Sequence, residues 1–323
     1  MFNKAFKDKK VVFLGDSGVA DGRYIHNMRA YMHDKEDRCY LINRGIGGNR
    51  VDMIDCLIDE EVFSINPDFC ISFFGVNDMG IWLYDSFNEI TPELLAEREK
   101  RDQSFYDANK RFIKYCKEHG VKPILVPPYL VNELLEEKPD IPTLGDNKEK
   151  AQLIGPWFYK RKTFENINNK IREYSDFLRD LAKSEGALFI DLFETSYAYM
   201  REMDGIFGPD GIHMTDKGHQ CIAKLLLEFL GYENVGLEFV HGEGADELWQ
   251  LERKERSPYF VKYNMFNAVN GNFTDEEIIK ECESILQKEG QEKWLIRTCT
   301  NYLKDKDHLE ENKKAYLEAL MKY

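Results

Sequence analysis

Short apolar runs alternate along this chain with longer amphipathic stretches, and that alternation restricts it to a parallel sheet layered with helices. The runs are Val11 to Leu14, Cys39 to Ile42, Asp68 to Phe74, Lys122 to Val126 and Leu188 to Leu192, each bounded by Gly, Pro, Asn or Asp. Between them, helical patterns cover residues 19–34, 51–60 and 161–185. Two further helices are marked by their starts: Thr91-Pro92 reads as an N-cap followed by proline at the first helical position, and another opens at Thr215 and closes before Gly231. Strands separated by helices need crossover connections, so the expected sheet is parallel and doubly wound, with helices on both faces. Ligands in such sheets bind beyond the carboxyl ends of the strands, where the strand order reverses. Chemistry is therefore expected directly after strands.

Two regions depart from the minimal repeat. Residues 128–160 carry several Pro and Gly and read as a long excursion over the catalytic edge. The chain from 235 to 323 reads as a second, mainly helical unit after a domain spanning 1–234. A capping box pairs Thr274 with Glu277 ahead of the apolar Ile278, Ile279 and Ile285. This unit is expected to be a C-terminal extension of unknown role.

Charge and cysteine usage exclude several partners. With 58 acidic against 44 basic residues the net charge is −14, which repels phosphate polymers and anionic membrane surfaces, so nucleic acid is not an expected partner. Seven cysteines stand far apart with neither a C-x-x-C pair nor zinc-type spacing, as expected of reduced thiols. No run of 18 apolar residues is present and no apolar leader precedes the first strand; a cytoplasmic location without membrane insertion is the expectation.

Four polar segments follow strands: Gly-Asp-Ser at 15–17, NRGIGGNRV at 43–51, GVND at 75–78 and DGIH at 210–213. A serine hydroxyl is a poor nucleophile until a neighbouring base takes its proton, and a histidine held by a carboxylate is the usual base. Asp210 and His213 are close enough in sequence for one turn of chain to bring carboxylate to imidazole. Attack on an ester carbonyl develops negative charge on oxygen, which needs fixed donors. Gly48 offers an unobstructed N–H, Asn77 a side-chain amide, and Ser17 its own N–H if it starts a helix.

The four blocks, in this order and at strand ends, resemble the signature of the SGNH, or GDSL, hydrolase family across residues 10–231. The resemblance implies a three-layer α/β/α sandwich around a five-stranded parallel sheet. It implies Ser17 as nucleophile, His213 as base, Asp210 as its orienting acid, and Ser17, Gly48 and Asn77 as the oxyanion hole, with no cofactor and no metal. Gly45, Gly47 and Gly48 are all candidates in the second block; Gly48 is preferred because the family's oxyanion glycine follows a small residue, here Gly47. The chain departs from the pattern after the nucleophile, where Gly18 follows and Asp21-Gly22 stands in place of the usual later glycine.

Each block alone has an ordinary explanation as a turn, and only their joint order carries the assignment. A metal site at His213 and His219 lacks a third ligand, and GIGGNR lacks the third glycine of a dinucleotide loop. Trp82 and Trp157 fall in segments near the catalytic edge, as pocket walls or as packing. The expected activity is a serine esterase acting on small acyl groups of carbohydrates. Lipase, lysophospholipase or thioesterase action, transfer to an acceptor other than water, and a binding or assembly protein with a vestigial hydrolase domain stand as alternatives.

Overall fold

The computed structural model describes residues 5–84, 88–133, 164, 166–208, 210–262, 274–288, 291 and 293–323. Its first strand, β1 (Lys10–Gly15), is apolar on both faces, as a central strand covered by helices on each side must be. The remaining strands are β2 (Tyr40–Gly45), β3 (Phe69–Phe73), β4 (Lys122–Val126) and β5 (Leu188–Phe189). All pair in parallel in the order β2-β1-β3-β4-β5. The order reverses between β1 and β3, so the crevice between their carboxyl ends is where a ligand belongs.

The helices are α1 (Ser17–Asp21), α2 (Arg23–Asp34), α3 (Ile54–Glu61), α4 (Pro92–Glu118), α5 (Ile167–Glu185), α6 (Leu192–Met200), α7 (Asp216–Phe229), α8 (Ala245–Phe260), α9 (Asp275–Gln287), α10 (Lys293–Asp305) and α11 (Leu309–Lys322). Thr91, Thr215 and Thr274 cap α4, α7 and α9 with their side chains, the last in a reciprocal capping box with Glu277.

Three sequence expectations meet local differences. The helix expected over 19–34 is two helices, broken at Gly22, whose φ of 77° ends α1. The apolar run ending at Leu192 is strand only to Phe189, because Asp191 caps α6 by accepting from the Glu194 N–H and so turns Leu192 inward as a helical residue. As a result DGIH does not follow β5 directly; α6 intervenes. Of the excursion at 128–160, Pro128 to Glu133 are described, and the rest, with Trp157, lies outside the described residues.

The chain beyond residue 235 packs on the sheet domain. Leu248 and Tyr259 of α8 and Tyr316 and Leu320 of α11 join the main core, while Val261, Ile278, Cys282, Ile285, Leu295, Cys299 and Tyr302 form a smaller cluster of their own. Beneath α8 lies a set of buried charges. Arg44 donates to Glu255 at 2.8 Å, Arg256 to Glu61 at 2.6 Å and Tyr316 to Glu252 at 2.8 Å, and Arg29 pairs with Glu252 as well. Among the described residues no helix is long and apolar enough to cross a membrane.

Candidate active site

Gly15 ends β1 under a tight constraint: a Cβ there would lie 2.2 Å from Val19 Cγ2 and 2.6 Å from the Phe73 carbonyl. The chain can therefore turn at once into α1. Asp16 caps that helix, accepting from the Gly18 N–H at 2.9 Å. Burial pushes the Asp16 carboxyl up to about 6, against the pull of the Gly18 N–H and the nearby His213. Ser17 is the first helical residue, so its hydroxyl stands at the rim beside the switch point.

On the far side of the crevice, Asp210 organises its own loop. One carboxylate oxygen accepts from the backbone N–H groups of Ile212 (3.0 Å) and His213 (2.9 Å), and the other meets His213 Nδ1 at 2.5 Å. Gly211, at φ 71°, makes the turn between them. The loop is tied down by the Phe207–Met214 bridge and by the Asn132 N–H, which donates to the Gly211 carbonyl at 2.9 Å. His213 Nε2 then lies 2.9 Å from Ser17 Oγ, although 196 positions separate the two in sequence.

The hydrogen bond to Asp210 raises the His213 pKa above its ordinary value, with burial opposing and the charges of Asp210, Asp16 and Asp21 adding. Asp210 shifts the other way: burial works to raise it, but His213 and the two backbone N–H groups hold it below the usual carboxylate range.

The second and third blocks face this pair. Ile46 to Asn49 form a turn closed by the Asn49 N–H to the Ile46 carbonyl at 3.1 Å, with Gly48 at φ 74° in the position a type II turn reserves for glycine. Gly45 sits against α1, where a Cβ would fall 2.2 Å from the Ala20 nitrogen, whereas one on Gly47 would lie 3.9 Å from Ser17 Cβ. Asn77 Nδ2 donates to the Asn49 carbonyl at 3.0 Å, and an amide nitrogen keeps a second hydrogen for another acceptor. Asp210, His213 and Ser17 thus stand in one line, and the turn that holds Gly48, to which Asn77 is tied through Asn49, borders Ser17 at Gly47.

Several contributors were not visible in the sequence. Asp78 accepts from the Val51 N–H at 2.8 Å and so ties the third block to the second; burial pushes its carboxyl up to about 8. Tyr129 fills the space that Gly18 leaves open, since a Cβ on Gly18 would lie 3.1 Å from its hydroxyl. His219 Nε2 lies 3.1 Å from Asp21, and burial lowers its pKa to about 4; no group of three or more His, Cys, Asp or Glu able to hold a metal occurs among the described residues. Trp82 lies under the Arg101 guanidinium at 4.7 Å. Beside Ser17 is a recess of about 10 Å³ lined by Phe73, Phe74, Val76, Pro128, Tyr129 and Ile212.

A family model described as the GDSL-like lipase/acylhydrolase family matches residues 13–221, well over half of the chain. The chain belongs to that family. As a GDSL-like acylhydrolase it is an ester hydrolase, and its α/β fold with a five-stranded parallel sheet is the family's. No curated protein matches. A solved structure of a gut microbial diltiazem-metabolizing enzyme is similar at TM-score 0.71 and 17% identity, over 97% of this chain and 94% of that one. An acetylxylan esterase from Geobacillus stearothermophilus is similar at TM-score 0.51 and 17% identity, over 72% of this chain and 99% of its own, and a variant of such an esterase from the same organism reaches TM-score 0.53. At these identities the likeness speaks for the fold.

Proposed function

We propose that this GDSL-like hydrolase is a serine esterase that removes small acyl groups, acetyl first, through an acyl-enzyme formed on Ser17. The observation that carries this reading is the line of three groups from two distant segments, Asp210 to His213 at 2.5 Å and His213 to Ser17 at 2.9 Å. Asp210 accepts from Nδ1–H and so leaves the Nε2 lone pair aimed at the serine hydroxyl. As Ser17 Oγ attacks the ester carbonyl, its proton passes to Nε2, and Asp210 stabilises the imidazolium. The carbonyl oxygen becomes an anion that the N–H groups of Ser17 and Gly48 and the second Asn77 hydrogen would hold. Collapse expels the alcohol, protonated by His213. Water then repeats the sequence on the acyl-enzyme and releases the acid.

The recess supports the preference for a small acyl group. A volume of about 10 Å³ takes one water-sized or methyl-sized group. That size is in keeping with an acetyl methyl rather than the chain of a lipid ester. A carbohydrate alcohol is in keeping with the fold shared with acetylxylan esterases. The test is turnover of nitrophenyl acetate against butyrate and octanoate, by wild type and Ser17→Ala. The reading expects acetate to be preferred and the variant to lose activity. Equal turnover by the two proteins would refute the nucleophile, and a preference for octanoate would refute the acyl size.

A further inference from the structure

We propose that the C-terminal helix α8 is part of the substrate site and that Phe260, at its end, is the wall on which the alcohol portion of the ester rests. This rests on the acyl-enzyme reading above. A methyl group placed on Gly47 would lie 3.3 Å from the edge of the Phe260 ring and 3.9 Å from Ser17 Cβ. A methyl there would touch both the ring and the Cβ of the nucleophile, and Gly47, having none, leaves that space clear. The ring is half-buried.

The assignment to the alcohol side follows from room. In the acyl-enzyme reading the small recess on the Tyr129 side, of about 10 Å³, takes the acyl end. The bulkier alcohol must lie outside that recess, on the open side where the His213 side chain keeps 47% of its surface exposed and delivers the leaving-group proton. The Phe260 ring stands on the Gly47 side of Ser17, away from that recess. An aromatic ring suits a planar aromatic alcohol or the C–H face of a sugar ring.

A wall is useful only if it is fixed, and α8 is fixed. Arg256, one turn before Phe260, donates to Glu61 at 2.6 Å and to the Gly45 carbonyl at 3.4 Å. Glu252 accepts from Asn43 Nδ2 at 3.2 Å, while Asn43 Oδ1 accepts from the Gly45 N–H at 2.8 Å. The helix therefore grips the end of β2, from which the glycine turn beside the nucleophile springs.

Four acetates of rising alcohol size, methyl, ethyl, phenyl and naphthyl, measured with wild type, Phe260→Ala and Phe260→Trp, test the assignment. Circular dichroism on each variant checks that the fold persists. We expect Phe260→Ala to lower the ratio of kcat/KM for phenyl over methyl acetate by about five- to tenfold, chiefly through KM, and Phe260→Trp to restore it. A uniform loss across the four alcohols would show that the ring only props the glycine turn and would overturn the assignment. A change in acetate-over-butyrate preference at constant alcohol would place the ring on the acyl side and overturn it equally. If wild type and Ser17→Ala were equally active, the acyl-enzyme reading itself would fall and this assignment with it.

Discussion

Two clusters of charged groups lie close together in this molecule and are built to opposite ends. At the rim, Asp210 and His213 keep 42% and 47% of their side-chain surface in contact with solvent. Beneath α8, Arg44, Glu61 and Glu255 keep 1% or less. A proton has to move at the rim during each turnover, so the imidazole stays where both of its protonation states are affordable. Under α8 nothing needs to move; there the ion pairs hold a helix in place, and once made they cannot be opened cheaply. The two clusters meet at β2, whose last residues carry the buried pairs on one side and the glycine turn on the other.

The largest expected effect falls on turnover alone. Ser17→Ala should cost at least about 10⁴-fold in kcat toward nitrophenyl acetate, since removing the nucleophile from such a group leaves only binding and oxyanion stabilisation. Its thermal midpoint should stay close to that of wild type. The buried cluster should behave in reverse. Glu255→Ala takes the nearer carboxylate from the fully buried Arg44 guanidinium, leaving it Glu61 at 3.7 Å and the Asn43 carbonyl at 3.1 Å, and is expected to lower stability by about 3 kcal/mol in urea unfolding. A paired Arg44→Met, Glu255→Leu replacement should recover most of that loss, because the desolvation cost disappears with the charges. Should Glu255→Ala unfold at the same urea concentration as wild type, the contrast drawn between the clusters is wrong.

How much of this was legible follows the same division. Three of the four rim blocks were readable because they end buried strands, where glycine, serine and asparagine stand out against the apolar runs before them; DGIH, which comes after α6, was readable only as a carboxylate and an imidazole three residues apart. The caps at Thr91, Thr215 and Thr274 were equally plain, since a cap is a local arrangement of three or four residues. The buried cluster was not plain. Glu252, Glu255 and Arg256 look in sequence like the solvated face of a helix, and their partners Arg29, Arg44 and Glu61 lie about two hundred positions away. One signal was available: Leu248, Glu252, Glu255 and Tyr259 recur at the spacing of one helical face, so charges occupy a stripe that otherwise points into the core. The break at Gly22 has the same origin. A Cβ there would lie 2.8 Å from Asn43 Nδ2 and 3.0 Å from both Glu252 and Trp249, a constraint that β2 and α8 set together from positions remote in the chain.

A smaller effect, on the pH profile, sharpens the account of the rim. Neutral His213 is the form that accepts the serine proton, and its pKa is raised by Asp210. The acidic limb of kcat/KM should therefore lie above the ordinary imidazole value of 6.5. Asp210→Asn removes the raising charge, so its residual activity should show that limb displaced to lower pH. His219 does not blur the measurement, because burial holds it at about 4. An acidic limb that Asp210→Asn leaves in place would assign it to another group, of which Asp16, pushed up to about 6, is the nearest.

Gly47→Ala should have the smallest effect, and it tests where the two regions touch. The residue lies outside the left-handed backbone region, so a methyl group adds no backbone strain, and its nearest neighbour is the Phe260 ring at 3.3 Å. That ring, half-buried at the end of α8, can give by a few tenths of an ångström. Stability should change by less than about 1 kcal/mol. The same methyl would fill the space between ring and nucleophile, so kcat/KM for phenyl acetate should fall by about tenfold, as one extra carbon in a fitted pocket typically costs. Combined with Phe260→Ala, which vacates the ring, the loss from Gly47→Ala should shrink, because the two changes act on one shared space. Strict additivity of the two losses would mean that the glycine and the ring bound separate spaces, and that the wall of α8 does not reach the nucleophile.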